Sequence, residues 1–118
     1  MSIKINARQA GDVSILEISG RLTLGEGVST LRNTLSGMAK EGRKKILLDL
    51  GDLTYIDSSG IGVLVASFAT LTNQGGQLKL LRLTNRVKDL LLLTKLYTVF
   101  EVYDDETSAL RSLTEISV

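Results

Sequence analysis

The feature that most constrains this 118-residue chain is a regular alternation between strand-like and helix-like segments. Residues 13–18 alternate apolar and polar side chains, as a half-buried strand does. Residues 45–50 form a nearly continuous apolar run, which is typical of a strand covered on both faces. Residues 78–81 and 99–102 predict two more strands, and residues 3–8 are consistent with an additional strand at the edge of the sheet.

Helical periodicity fills the intervals between these strands. Apolar side chains recur at three- and four-residue spacing from Val28 to Met38, which predicts an amphipathic helix that closes near Gly42. Three further helices are predicted, over residues 59–73, over residues 85–95, and from residue 104 through residue 113.

Glycines mark two of the expected boundaries. Gly20 is expected to end the strand of residues 13–18, and the pair Gly75-Gly76 suits a left-handed cap after the second helix. From Val13 onward the order is β-α-β-α-β-α-β-α. This order predicts one α/β domain over residues 1–118, with a mainly parallel sheet of four to five strands flanked by helices.

Composition excludes several classes of function. The chain has 14 basic and 13 acidic residues and a net charge of +1, which argues against a nucleic-acid-binding protein. The basic run of residues 43–45 is interpreted as a solvated turn. The absence of cysteine excludes disulfides and thiolate metal sites, and the absence of histidine excludes serine–histidine catalysis and most zinc sites. We therefore expect no catalytic site, metal or cofactor.

Hydropathy gives no indication of a membrane protein. The longest nearly uninterrupted apolar stretch, residues 61–71, is far shorter than a membrane-spanning helix requires. Residues 1–6 lack the apolar core of a signal peptide. The sequence thus predicts a soluble cytoplasmic protein.

Four consecutive leucines, residues 90–93, conflict with a simple amphipathic helix. Successive helical residues point around most of the circumference, so at least one of these leucines is expected to be exposed. Such a leucine could be covered by neighbouring loops of the same chain or could contact a partner, and the sequence leaves both explanations open.

The sequence Asp57-Ser58-Ser59-Gly60 lies between a predicted strand and a predicted helix. Aspartate and serine are ordinary residues at the start of a helix, and this is one interpretation of the segment. A hydroxyl at Ser58 would also be exposed where unpaired backbone N–H groups favour negative charge. Gly60 and Gly62 fall in the first helical turn, where glycine is costly. Such a pair indicates close approach by another backbone, from a partner or from the domain's own sheet.

The segment of residues 56–62 resembles the signature of STAS domains, and specifically that of the bacterial anti-sigma-factor antagonists. The resemblance extends over almost the whole chain and includes residues 16–22, 48–50 and 78–80. It implies that Ser58 is a phosphoacceptor for a serine kinase that doubles as an anti-sigma factor, and that a serine phosphatase reverses the modification. It also implies that the unmodified protein binds the anti-sigma factor and so releases a sigma factor.

The resemblance places the partner-binding face on two neighbouring turns. The residues expected to form it are Leu22, Thr23, Leu24, Gly25, Tyr55, Ile56, Asp57, Ser59, Gly60 and Ile61. Leu24 and Ile61 are expected to provide apolar contact area. Thr23 departs from the family, which often has an acidic residue there, and Glu26 is a candidate substitute for that charge.

Other interpretations remain open beside this one. The chain is alternatively a STAS scaffold, or an accessory subunit of a stress-signalling or transporter complex. An enzyme that uses Asp57 and Ser58 is disfavoured, because no general base accompanies the serine. Ser59 competes with Ser58 as the modified residue, and the protein is expected to be a monomer or a weak dimer.

Overall fold

The structure, a computed structural model, describes residues 3–114. Five strands form one sheet in the order β1-β2-β3-β4-β5. β1 pairs with β2 in antiparallel fashion, and the other neighbouring pairs are parallel. The predicted mainly parallel sheet with an added edge strand is therefore confirmed. The strands are β1 (Ile3–Ala10), β2 (Val13–Leu22), β3 (Lys45–Ile56), β4 (Gln77–Leu81) and β5 (Val102–Tyr103).

Four helices cover the sheet, and they divide its core into two parts. Leucine, isoleucine and valine side chains from the first three helices pack against one face of the sheet, where they form the larger cluster. Ala109 and Leu113 of the fourth helix pack against the opposite face, on Ile15, Leu47 and Leu81. The helices are α1 (Glu26–Lys40), α2 (Ser58–Asn73), α3 (Asn85–Leu93) and α4 (Glu106–Thr114). The expected domain of residues 1–118 extends beyond the described residues at both ends.

Glycine geometry and leucine burial agree with several predictions. Val28, Leu31, Leu35 and Met38 are all buried on α1. Gly75 has a φ of 80°, as expected for the left-handed residue after a helix. In the leucine run of α3, Leu91 is fully buried, whereas Leu92 and Leu93 are 53% and 79% exposed.

Two strands end later than their sequences predicted. β2 continues through Gly20, which has a φ of 89° and lies at a shift in the register with β3. Such a bulge lets the glycine stay within the ladder instead of ending it. β3 continues beyond Leu50 as far as Ile56, because the extended β2 offers backbone partners up to the pair Leu22 and Ile56. The exposed residues Gly51 and Asp52 hid this continuation in the hydropathy pattern.

Two later boundaries were also predicted incorrectly. β5 contains only Val102–Tyr103, because only these residues pair with β4. Phe100 precedes the strand and is buried instead against Phe68, with 5.4 Å between ring centroids. α3 ends at Leu93, two residues early, and Lys95 follows with a φ of 61°. In the part of the chain that the structure describes, no helix is long and apolar enough to cross a membrane.

Candidate functional site

Two loops meet at the carboxyl ends of β2 and β3. Because these strands are parallel and Leu22 pairs with Ile56, the chain leaves both strands at the same edge of the sheet. The backbone N–H of Asp57 donates to the Leu22 carbonyl oxygen at 3.4 Å, which joins the two loops directly. We call residues 22–25 and 55–61 the contact rim.

The carboxylate of Asp57 holds the contact rim together. Its Oδ1 accepts from the Gly60 N–H at 2.9 Å and caps α2, while its Oδ2 accepts from the Leu24 N–H at 3.1 Å. Partial burial by itself raises the pKa of Asp57. Hydrogen bonds to its carboxylate have the larger combined effect and lower this pKa below the ordinary value; they come from the backbone N–H groups of Leu24, Gly60 and Ser59. One side chain therefore fixes both the helix start and the preceding loop.

Ser58 is the first residue of α2, and its side chain is exposed. The first turn of α2 contains no acidic residue, and the carboxylate at this end of the helix is that of the cap, Asp57. Ser59, the competing hydroxyl, is half-buried. The expectation that Ser58 lies at the surface, within reach of another protein, is confirmed; its modification remains a prediction.

The two glycines of the first helical turn have different surroundings. A Cβ on Gly60 would lie 2.7 Å from the Ile56 Cγ1 and closer still to the Leu22 carbonyl oxygen. The close approach indicated by the sequence is thus made at Gly60 by the protein's own sheet. A Cβ on Gly62 would meet nothing within 4 Å, and Gly62 is exposed. Nothing within residues 3–114 requires a glycine at position 62.

Burial divides the predicted partner-binding residues into two groups. Leu24 is 77% exposed and projects from the loop that Asp57 holds. Leu22 and Ile56 are fully buried, Ile61 is 3% exposed, and Gly60 is buried as well. The expectation that Ile61 adds contact area is wrong, since its side chain belongs to the core. These four residues shape the rim from beneath.

The remaining members of the predicted face are accessible to different degrees. Gly25 is exposed, with a φ of 101°, and it begins α1 without a side-chain cap. Thr23 is half-buried, and its carbonyl oxygen accepts from the Val28 N–H at 3.1 Å. Glu26 is exposed in the first turn of α1. Gly25 therefore belongs to the helix start, and not to a free turn.

Sequence reasoning missed a stacked group beside the rim. The guanidinium carbon of Arg21 lies 4.7 Å from the centre of the Tyr55 ring, and that of Arg86 lies 4.3 Å from the same centre. Arg21 pairs with Tyr55 across β2 and β3, so their adjacency follows from the strand register. Arg86 comes from the first turn of α3, and no pattern in the sequence could have placed it there.

Asp49 and Asp57 are both acidic residues of β3 or its end, and they have separate partners. Asp49 accepts from Arg82 and from the Gly51 N–H at 3.0 Å, whereas Asp57 accepts only from backbone N–H groups. Within residues 3–114, no cluster of His, Cys, Asp or Glu side chains could hold a metal ion.

Comparison with known proteins agrees with the fold. The STAS domain family model matches residues 4–109. The anti-sigma-B factor antagonist of Bacillus subtilis (strain 168) is 30% identical over 102 residues, which cover 86% of this chain and 92% of that protein.

Two solved structures have the same fold as this chain. The crystal structure of TM1081 from Thermotoga maritima has a TM-score of 0.87 at 26% identity, covering 94% of this chain and 95% of that one. The phosphorylated form of the Bacillus cell fate determinant SpoIIAA shares the fold with a TM-score of 0.74 at 18% identity, covering 92% of this chain and 98% of that one.

Proposed function

The chain belongs to the STAS domain family, and on that premise we propose that it is an anti-sigma factor antagonist controlled by phosphorylation of Ser58. In its unmodified form it binds an anti-sigma factor and thereby frees a sigma factor. The anti-sigma factor is also the serine kinase that modifies Ser58, and a serine phosphatase restores the hydroxyl. The chain acts as a binding module and a kinase substrate, and not as a catalyst.

The observation that carries this proposal is the position of Ser58. Its exposed side chain lies on the first residue of α2, directly after Asp57, whose carboxylate binds the backbone of the exposed Leu24. A kinase can reach the hydroxyl without unfolding the domain. A partner that contacts Leu24 would at the same time cover Ser58, so modification and docking use one surface.

Charge explains how such a modification would act. A phosphoryl group adds about −1.5 to −2 charges at pH 7. The net charge of the chain is +1, so this addition reverses its sign. Backbone N–H groups at the start of α2 stabilise an anion there, so the fold tolerates the phosphate while the surface potential changes. SpoIIAA, which shares this fold, is known in a phosphorylated form.

Only part of the predicted partner-binding face is accessible to another protein. Leu24 supplies apolar area and Gly25 is exposed, whereas Thr23, Tyr55 and Ser59 are half-buried. The buried members, Leu22, Ile56, Gly60 and Ile61, act by fixing the backbone of the rim. Leu24 is the exposed large apolar residue of this proposed contact.

Calorimetric titration with the anti-sigma factor of the same organism tests the proposal. Ser58→Ala should bind as wild type does and should resist phosphorylation. Ser58→Asp should bind at least about tenfold more weakly, because it places a charge at the centre of the contact. Ser59→Ala is the matched control and should be phosphorylated and bound normally. Equal affinities for wild type and Ser58→Asp, or phosphate confined to Ser59, would reject the mechanism.

A second candidate function rests on a different surface. Leu92 and Leu93 are exposed on α3, and they give a STAS scaffold or accessory subunit an apolar assembly contact. Light scattering separates the two candidates. A monomer or weak dimer favours the switch, whereas a stable large oligomer that Leu93→Ser dissociates favours the scaffold.

A further inference from the structure

The Tyr55 ring is contacted by two arginines that come from different elements of the fold. β3 lies between β2 and β4 in the sheet. Arg21 approaches from β2, and Arg86 approaches from α3, the helix that follows β4. Stacking on an aromatic ring restrains a guanidinium group while leaving its N–H donors at the edge of the plane free to bind an acceptor. Two positive charges are thus held in a fixed arrangement next to the contact rim.

Neither of these arginines takes part in an ion pair within residues 3–114. The cations of the ion pairs there are Arg8, Arg43, Lys45, Lys79 and Arg82. Arg8 binds Glu17 and Glu106, and Arg82 binds Asp49, so these two arginines occupy carboxylates of the sheet and of α4. Arg21 and Arg86 are both exposed and keep their donors for other acceptors.

Neither Asp57 nor Glu26, two acidic residues of the same edge, forms an ion pair with these arginines. Asp57 lies two residues after Tyr55, but its two oxygens accept from backbone N–H groups. Glu26 is exposed in the first turn of α1 and forms no ion pair among the described residues. Position 23, next to the rim leucine, is a threonine and carries no charge.

We propose that Arg21 and Arg86 form a docking site for an acidic segment of the protein partner, whose carboxylates pair with the two guanidinium groups. An acidic segment fits this site because the two guanidinium groups are positively charged. We assign it to the partner that binds the rim because Arg21 directly precedes Leu22 and Tyr55 is itself a rim residue. Arginine binds carboxylates through paired N–H donors, which fixes orientation as well as providing attraction. This inference rests on the proposed function and names the chemistry of the partner's surface.

The same arrangement explains why a phosphate would be an effective switch. The two unpaired guanidinium groups carry two positive charges. A phosphoryl group at Ser58 contributes about −1.5 to −2 charges and so offsets nearly all of that attraction. An acidic partner would then meet a nearly neutral or negative rim instead of a positive one. Phosphorylation acts by removing electrostatic complementarity, with no change of fold.

The double variant Arg21→Gln/Arg86→Gln tests the proposal. Its association rate with the anti-sigma factor of the same organism is measured by stopped flow at about 0.05 M and about 0.2 M salt. The variant should associate about tenfold more slowly at low salt and should show a shallower salt dependence than wild type. Arg111→Gln, an exposed arginine of α4, is the matched control and should change neither quantity.

Further variants separate docking from folding. The double variant Arg21→Lys/Arg86→Lys keeps both positive charges and should recover most of the association rate. Thermal unfolding of every variant shows whether its fold is intact. Wild-type protein that fails to bind at all would refute the proposed function itself. Wild type that binds while the glutamine variant associates equally fast would refute this inference alone. An equal loss in Arg111→Gln would also overturn it, because the effect would then be one of total charge.

Discussion

Lys79 and Asp49, on the α4 side of the sheet, contrast with Arg21, Leu24 and Ser58 at the contact rim. Lys79 is buried, and its amino group donates to the Ser112 hydroxyl at 3.1 Å and pairs with Glu101 at 3.1 Å. Asp49 is 4% exposed and is bound by Arg82 and by the Gly51 N–H. On that side, the polar side chains are satisfied within the chain.

The contact rim uses its groups differently. Leu24 is 77% exposed, Ser58 is exposed, and Arg21 forms no ion pair within the described residues. Asp57 is the exception, because both of its oxygens bind the local backbone. Groups with partners inside the chain contribute to stability, and groups without them are available to another molecule. Substitutions in the two regions should therefore separate stability from binding.

Gly60→Ala should give the largest loss of stability. The new Cβ would meet the Leu22 carbonyl oxygen and the Ile56 side chain, both of which belong to rigid strands. We expect the free energy of unfolding to fall by about 3 kcal/mol, measured by urea denaturation. Gly62→Ala is the matched control and should raise stability by up to about 1 kcal/mol, since its Cβ enters open space in a helix. Similar effects at both positions would contradict the description of the rim.

Asp49→Ala should destabilise the protein without affecting docking. The substitution removes the acceptor of both the Arg82 side chain and the Gly51 N–H. Loss of these hydrogen bonds to a charged group should lower the free energy of unfolding by about 2 kcal/mol. Affinity for the anti-sigma factor should be unchanged once the folded fraction is taken into account. A direct loss of affinity would place Asp49 at the interface and break the division between the two regions.

Asp57→Asn should have a smaller effect that depends on pH. The asparagine oxygen can still cap α2, but its amide nitrogen would face the Leu24 N–H, so we expect a loss of about 1 kcal/mol at neutral pH. The folded-state pKa of Asp57 is lowered, so its stabilising contribution is complete above the ordinary value of 3.8 and is lost as the pH falls through the folded-state value.

Chemical denaturation over a pH series checks this behaviour. The stability difference between wild type and Asp57→Asn should shrink as the pH falls below about 4, while hydrogen exchange at the Leu24 amide should be faster in the variant at neutral pH. A difference that stays constant over the acidic range would show that the carboxylate charge does not hold the loop.

Leu24→Ala should change stability least and binding clearly. The leucine is 77% exposed, so truncation should alter the free energy of unfolding by less than about 0.5 kcal/mol. Affinity for the anti-sigma factor should fall by at least about 1 kcal/mol, because Leu24 is the exposed apolar residue of the rim. Leu93→Ala, on α3, is the matched exposed control and should leave that affinity unchanged.

The order and type of the elements were predictable because hydrophobic periodicity directly reflects which faces are covered. α1 shows this most clearly, with its four predicted apolar residues all buried. The lengths of β2 and β3 were not predictable, because Gly20 and Gly51 interrupt the pattern and only strand pairing carries the chain past them. Backbone pairing between distant segments leaves no local mark in a sequence.

The exposure of Ser58 was predictable, but the burial and contacts of the residues around it were not. Ser58 was expected to be exposed from its place at a helix start, and the structure agrees. Ile61 was assigned to the contact, but helical phase turns it into the core. The Arg21–Tyr55–Arg86 stack depends on α3 returning beside β3, a tertiary arrangement that short-range patterns do not encode.

The most direct test of the central claim compares the unmodified protein with protein phosphorylated stoichiometrically at Ser58. Both forms are titrated into the anti-sigma factor by calorimetry, and their amide spectra are recorded by nuclear magnetic resonance. The phosphorylated form should bind at least about tenfold more weakly, with spectral changes confined to the contact rim and its neighbours. Unchanged affinity, or a loss of affinity accompanied by changes throughout the sheet, would contradict a switch that works by surface charge on an unaltered fold.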